Sequence, residues 1–159
     1  MSNRKELLRD HITAKNAESM AVLRRLTDAD WAKPVYSTES ATWTARDVLA
    51  HLADSEKGLV AQAQRISVGQ EGVPADFDLA RWNLRAVEKR ANRPLAELLA
   101  DIQAGYAQAS AFLDQVAEAD LDRMGRHASG RIMSVEAILR QMADHRATHA
   151  AEVKAALGK

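Results

Sequence analysis

Residues 134–157 read Ser-Val-Glu-Ala-Ile-Leu-Arg-Gln-Met-Ala-Asp-His-Arg-Ala-Thr-His-Ala-Ala-Glu-Val-Lys-Ala-Ala-Leu. Val135, Ile138, Met142, His145, His149, Val153 and Ala156 recur at intervals of three and four, the pattern of one buried face of an α-helix. Ser134 is a good N-cap, and Glu136 falls in the first turn, where the helix dipole favours an acid. The stretch predicts a long amphipathic helix with two histidines inside its apolar stripe. Being four residues apart, they share a face.

The rest of the chain repeats this pattern. Leu8, Ile12, Met20, Leu23 and Leu26 mark a first helix over residues 3–26. Thr44 caps a second, with Asp47 three residues on in a near capping box, and its stripe is Val48, Leu52, Leu59, Ala63 and Ile66 before a stop at Gly69. A shorter helix over residues 78–91 carries Leu79, Trp82, Ala86 and Val87, with Trp82 expected in the core. Pro94 ends that helix and suits the first turn of the next, whose stripe runs from Leu95 through Ile102 and Leu113 to Val116. Residues 28–43, 69–76 and 118–133 are the long breaks. Four long helices and one short one predict an all-α four-helix bundle in a single domain, residues 1–159, with no repeat or dividing linker.

Composition narrows the function. Lys plus Arg equals Asp plus Glu at 22 each, which removes the electrostatic footprint of a nucleic-acid binder. No apolar run is long enough for a membrane span, and the start lacks the apolar core of a signal peptide, so a cytoplasmic protein is the expectation. There is no cysteine; any thiol chemistry must use an outside molecule.

His51, in Ala-His-Leu-Ala-Asp, lies on the second helix. At about 1.5 Å per residue it sits roughly 10 Å from that helix's start, while His149 and His145 sit roughly 12 and 18 Å from the end of the last. The three reach one level if the second and last helices are antiparallel. Three imidazoles with open positions make a catalytic kind of divalent-metal site; a bare H-x-x-x-H is equally compatible with two polar surface residues. Asp54, one turn beyond His51, is a candidate to bond a ligand imidazole or move a proton. His127, beside Arg126 and ahead of Arg131 in a Gly-flanked loop, is a candidate to reach substrate. His11 reads as solvated, Glu56 and Glu152 as surface acids, and Trp43 as a packing residue before the cap of the second helix.

The run Thr-Trp-Thr-Ala-Arg-Asp-Val-Leu-Ala-His-Leu-Ala-Asp-Ser-Glu at 42–56 resembles the second-helix signature of the DinB-like superfamily. Phe77-Asp78-Leu79-Ala80-Arg81-Trp82-Asn83, followed by Arg90, Pro94 and Leu95-Ala96-Glu97-Leu98-Leu99, is similar to its third region, with like wording in the mycothiol-dependent maleylpyruvate isomerase branch. The closing helix with Asp144-His145-Arg146-Ala147-Thr148-His149 resembles the superfamily's H-x-x-x-H helix. The resemblance implies a four-helix bundle of unusual connection order, a nickel or zinc ion on His51, His145 and His149, and a homodimer. It also implies a transferase or isomerase that uses a low-molecular-weight thiol such as mycothiol, bacillithiol or glutathione on a small-molecule substrate. The alternatives are a non-catalytic metal-binding or stress-response module and, third, a metal-dependent hydrolase. The additional C-terminal domain of the maleylpyruvate isomerase has no counterpart here, which argues against that particular reaction.

Overall fold

In the computed structural model, which describes residues 3–40 and 42–159, the expected caps set the helices. The elements are α1 (Asn3–Leu23), α2 (Asp28–Trp31), α3 (Ala45–Ser67), α4 (Leu79–Lys89), α5 (Leu95–Gln115), a 3-10 turn (Glu118–Asp122), β1 (Met124–Arg126), β2 (Ile132–Ser134) and α6 (Val135–Leu157). Thr44 and Asp47 form a complete capping box at the start of α3. Gly69, at φ +83°, follows the end of α3 in the left-handed region glycine tolerates. Helix α1 ends at Leu23, short of the expected 26, because Thr27 and Asp30 form a second capping box that starts α2.

Side-chain pairings give the directions. Arg4 reaches Glu136 at 2.5 Å and His11 reaches Asp144 at 2.7 Å, so α1 and α6 are parallel. Lys57 pairs with Asp101 at 2.9 Å, and Arg46 donates to the Arg90 and Ala91 carbonyls just ahead of α5, so α3 and α5 are parallel. Lys5 donates to the Val116 carbonyl and Thr13 meets Tyr106, which makes α1 and α5 antiparallel. Glu56 faces Arg146 while Leu59 and Ile66 cluster with Val135 and Ile138, so α3 and α6 are antiparallel, as the level arithmetic requires. The helices pack in the ring α1–α6–α3–α5, up, down, down, up in chain order. A parallel α3–α5 pair obliges the chain to travel back along the bundle, and residues 68–94, with α4, make that return.

Two apolar clusters fill the ring. One gathers Leu8, Ile12, Leu59, Ile66, Leu113 and Ile138; the other gathers Leu23, Trp43, Leu49, Leu52, Ile102 and Val153. Between them lies a polar cross-section. Arg146 and Glu56, both 0% exposed, form a two-pronged ion pair, Nε to Oε1 at 2.8 Å with Nη2 on Oε2, and Arg146 also bonds Asn16. Glu56 was expected at the surface; it is buried because its place on α3 faces α5 and α6 rather than solvent. A Cβ on Gly105 would stand 2.6 Å from the Glu56 Cβ, so α3 and α5 touch at this level. Gly105→Ala is expected to force them apart and cost about 1–3 kcal/mol, read as a lower denaturant midpoint at unchanged slope.

The break at 118–133 contains a hairpin that periodicity did not announce, since three-residue strands are too short to alternate. β1 and β2 pair antiparallel with Gly125 opposite Met133. A Cβ on Gly125 would come within 2.5 Å of the Ile66 side chain, so the hairpin lies directly on α3. Val73 donates to the Arg126 carbonyl at 3.0 Å, tying the return segment to this hairpin. Trp82 is 54% exposed rather than in the core. Its ring packs near Phe77 and its Nε1 donates to Asp54, so it lies at the edge of the fold with its polar end satisfied.

Candidate metal centre

His51 projects from the first third of α3, and His145 and His149 from the middle of α6. Their Nε2 atoms meet: 3.2 Å between His51 and His145, and 3.0 Å between His145 and His149. A carboxylate joins them from the long connection after α2. Ser37 and Ser40 exchange backbone hydrogen bonds at 3.2 Å, and the Ser37 hydroxyl accepts the Glu39 N–H, which makes a tight turn. Val35 donates to the Trp43 carbonyl at 2.8 Å, closing the base of that finger. Its tip carries Glu39 over the imidazoles, with Oε2 2.6 Å from His51 Nε2 and 3.1 Å from His149 Nε2, and Oε1 3.1 Å from His145 Nε2. One ligand atom from each of the four residues lies within 4.8 Å of every other.

Donors about 2.1 Å from a tetrahedral ion stand about 3.4 Å apart, close to the spacings here. Three neutral imidazoles aimed at one point cannot all satisfy one another, because a lone pair needs a donor and two facing N–H groups repel. A shared cation resolves both conflicts, so the residues present fit a divalent metal. His51 is 2% exposed and His149 1%. Burial, above all, lowers the His51 pKa against the opposing pull of Glu39, favouring the neutral, electron-pair-donating ring. Burial pushes the Glu39 carboxyl up, but three imidazoles outweigh it and hold the group well below the usual carboxylate range. Trp43 is buried with its ring 4.9 Å from that of His51, and it backs the cluster on the protein side.

The cluster opens on a cavity of about 380 Å³ whose wall includes Glu39, His51 and His145, with Leu59, Val73 and Phe77 supplying apolar surface. The three histidines of the expected triad are thus brought together. Glu39 is the residue the sequence reading missed; its only signal was an acid in a long connection. Asp54 does not bond a ligand imidazole. It lies in the cavity wall and spends its oxygens on Trp82 Nε1 (2.9 Å) and Arg90 (3.1 Å), fastening α4 to α3. Glu152, expected to be a surface acid, stands 3.3 Å from His149 Nδ1. His127 is buried in the wall of the same cavity, and His11 pairs with Asp144.

This combination defines a class: a four-helix bundle of crossed connection order with a three-histidine, one-carboxylate cluster at the base of a cavity. The chain belongs to the DinB superfamily, whose profile matches residues 11–153. No curated protein matches it in sequence. Among solved structures it is similar to YfiT from Bacillus subtilis, described as a probable metal-dependent hydrolase with an unusual four-helix bundle topology. The identity is 21% with a TM-score of 0.76, over 99% of this chain and 90% of that one. It is also similar to a mutant of the mycothiol-dependent maleylpyruvate isomerase, at 13% identity and a TM-score of 0.79, over 94% of this chain and 60% of that one. At these identities the likeness is one of fold.

Proposed function

We propose that the chain is a metal-dependent enzyme in which His51, His145 and His149 hold a divalent ion, nickel or zinc, and an external low-molecular-weight thiol serves as nucleophile in a transferase or isomerase reaction. The observation that carries this reading is the convergence of three Nε2 atoms at the base of a cavity large enough for a small molecule. Bound there, the ion would supply Lewis acidity that lowers the pKa of a thiol or water admitted beside it. Glu39 is placed to complete the ligand set or to take the proton the nucleophile loses. Leu59, Val73 and Phe77 give the chamber apolar surface, and the Asp54–Arg90 and Asp54–Trp82 contacts hold α4 over the cavity. The absence of cysteine is why the thiol is external.

Glu39 favours a second reading, a hydrolase, because a carboxylate at the cluster is what a general base for water requires. The two readings separate in one assay series. Protein purified without affinity-tag nickel is analysed for metal, then assayed with electrophiles across mycothiol, bacillithiol, glutathione and coenzyme A, and with ester and amide substrates in water alone. Turnover with one thiol that vanishes in the triple histidine variant supports the first reading. Thiol-independent turnover with the same dependence moves the assignment to hydrolase. Neither, with stoichiometric metal, makes the protein a non-catalytic metal-binding module. A homodimer, which rests on the family likeness, and a cytoplasmic location, which rests on the sequence reading, belong to this proposal; among the described residues no helix is long and apolar enough to cross a membrane.

Metal is expected to stabilise a fold that already exists, since apolar clusters lie on both sides of the histidines. The chelated protein should keep its helical circular dichroism at room temperature. Zinc at 100 times its dissociation constant should then add about 2.7 kcal/mol by mass action, read as a raised Tm. Loss of the helical signal on chelation would show that folding itself depends on the ion.

A further inference from the structure

The wall of the cavity holds buried polar groups that the proposed chemistry leaves unused. His127 is 6% exposed and Gln62 7%. Ser129 decides the state of His127: its backbone N–H donates to Nδ1 at 3.1 Å, so Nδ1 is the acceptor and the neutral ring carries its proton on Nε2. Burial, Arg131 and His145 hold its pKa down to about 4, which keeps the ring a neutral donor. His127 Nε2 and Gln62 Oε1 are buried without a partner among the described residues, and both side chains line the cavity. A buried donor without an acceptor is costly, and the neutral Nε2–H calls for an oxygen.

Charge says which oxygen. The face of α3 along the cavity presents His51, Asp54, Ser55, Leu59, Gln62 and Arg65. Arg65 comes 14 residues after His51, about 21 Å further along the axis. Of the two acids in the wall, Glu39 is held by the histidines and Asp54 by Arg90 and Trp82. The Arg65 end is therefore electropositive, while Leu59, Val73 and Phe77 supply apolar surface to the same cavity.

We propose that the wall formed by His127, Gln62 and Arg65 is a carboxylate subsite, binding the acid group of an otherwise apolar small molecule whose body extends towards the histidine cluster. It rests on the reading of this cavity as the substrate chamber. His127 donates one fixed, uncharged hydrogen bond, Arg65 supplies the opposite charge, and Gln62, whose Oε1 is the unpartnered end, offers its amide N–H to the same group after a half-turn of the amide.

The test uses octanoate and octanamide as probes on the full chain, chelated and zinc-loaded. Binding is followed by calorimetry and by nitrogen-15 signals of labelled histidine. Octanoate should shift the His127 Nε2–H signal with and without zinc, while octanamide binds about tenfold more weakly or worse. Arg65→Gln should weaken octanoate by about tenfold or more, as loss of a charged hydrogen bond does. His127→Phe should do the same, and if that variant fails to fold, Arg65→Gln carries the test. Octanoate binding that requires zinc and survives Arg65→Gln would put the carboxylate on the ion and overturn the subsite. Equal binding of octanamide, or no binding by either probe, would overturn it as well. A protein that takes no zinc yet still binds octanoate through Arg65 supports the subsite while sinking the metal reading.

Discussion

His149→Ala protein is expected to fold and yet fail to retain a stoichiometric divalent ion through desalting, whereas the unaltered chain retains one. Removing one nitrogen leaves two imidazoles and a carboxylate around a gap. Turnover in whichever assay proves active should fall by more than the roughly 10–100-fold that loss of an outer-shell partner costs. Because His149 is 1% exposed, His51→Ala provides an independent variant on a different helix. Metal analysis and circular dichroism of the two, read beside chelated unaltered protein, separate loss of the ion from loss of the fold. Full metal occupancy in both variants would end the three-histidine assignment.

The largest stability effect is expected at the centre of the bundle. Glu56→Ala leaves the Arg146 guanidinium at 0% exposure with Asn16 as its one remaining side-chain hydrogen-bond partner among the described residues. Breaking a fully buried pair from one side costs about 3–5 kcal/mol, which for a domain of this size lowers Tm by roughly 6–20 °C. Replacing both partners by hydrophobic residues of similar volume should recover most of that loss, since the pair gains little over a well-packed apolar alternative. Arg146 directly follows His145, so Glu56→Ala should also weaken zinc binding, and the double replacement should restore the fold more fully than the affinity. A Glu56→Ala protein that melts within a degree of the unaltered chain would show that the guanidinium finds water instead.

The helices were legible because stripes such as Val48–Leu52–Leu59–Ala63–Ile66 state both period and buried face, and because Thr44 with Asp47 marks a start unambiguously. The meeting of His51 with His145 and His149 was legible for the same reason: periodicity fixes the face, and rise per residue fixes the level. Glu39 was not, because its position follows from a turn between Ser37 and Ser40, and irregular backbone has no period from which to compute a direction. The burial of Glu56 and Arg146 was hidden because each is charged, and pattern reading assigns charge to solvent unless a partner is known. Trp82 shows the reverse error. It falls on an apolar stripe, but its helix covers a cavity rather than a core, so the ring remains half outside.

Interrupting the apolar interior with a charged plate at Asn16, Glu56 and Arg146 bears on how the molecule opens. Hydrophobic contacts within each half are extensive, while those across the plate are replaced by directional bonds that yield together or not at all. The two halves are thus candidates for separate foldons, each with its own opening free energy in amide exchange. An ion on His51, His145 and His149 would lie at the margin of the half that contains Trp43 and Val153, so zinc should slow exchange there and leave the half containing Val135 and Leu113 nearly unchanged. The finger bearing Glu39 meets the bundle at those same histidines, so its exchange should slow as well when zinc binds, making it a reporter of occupancy.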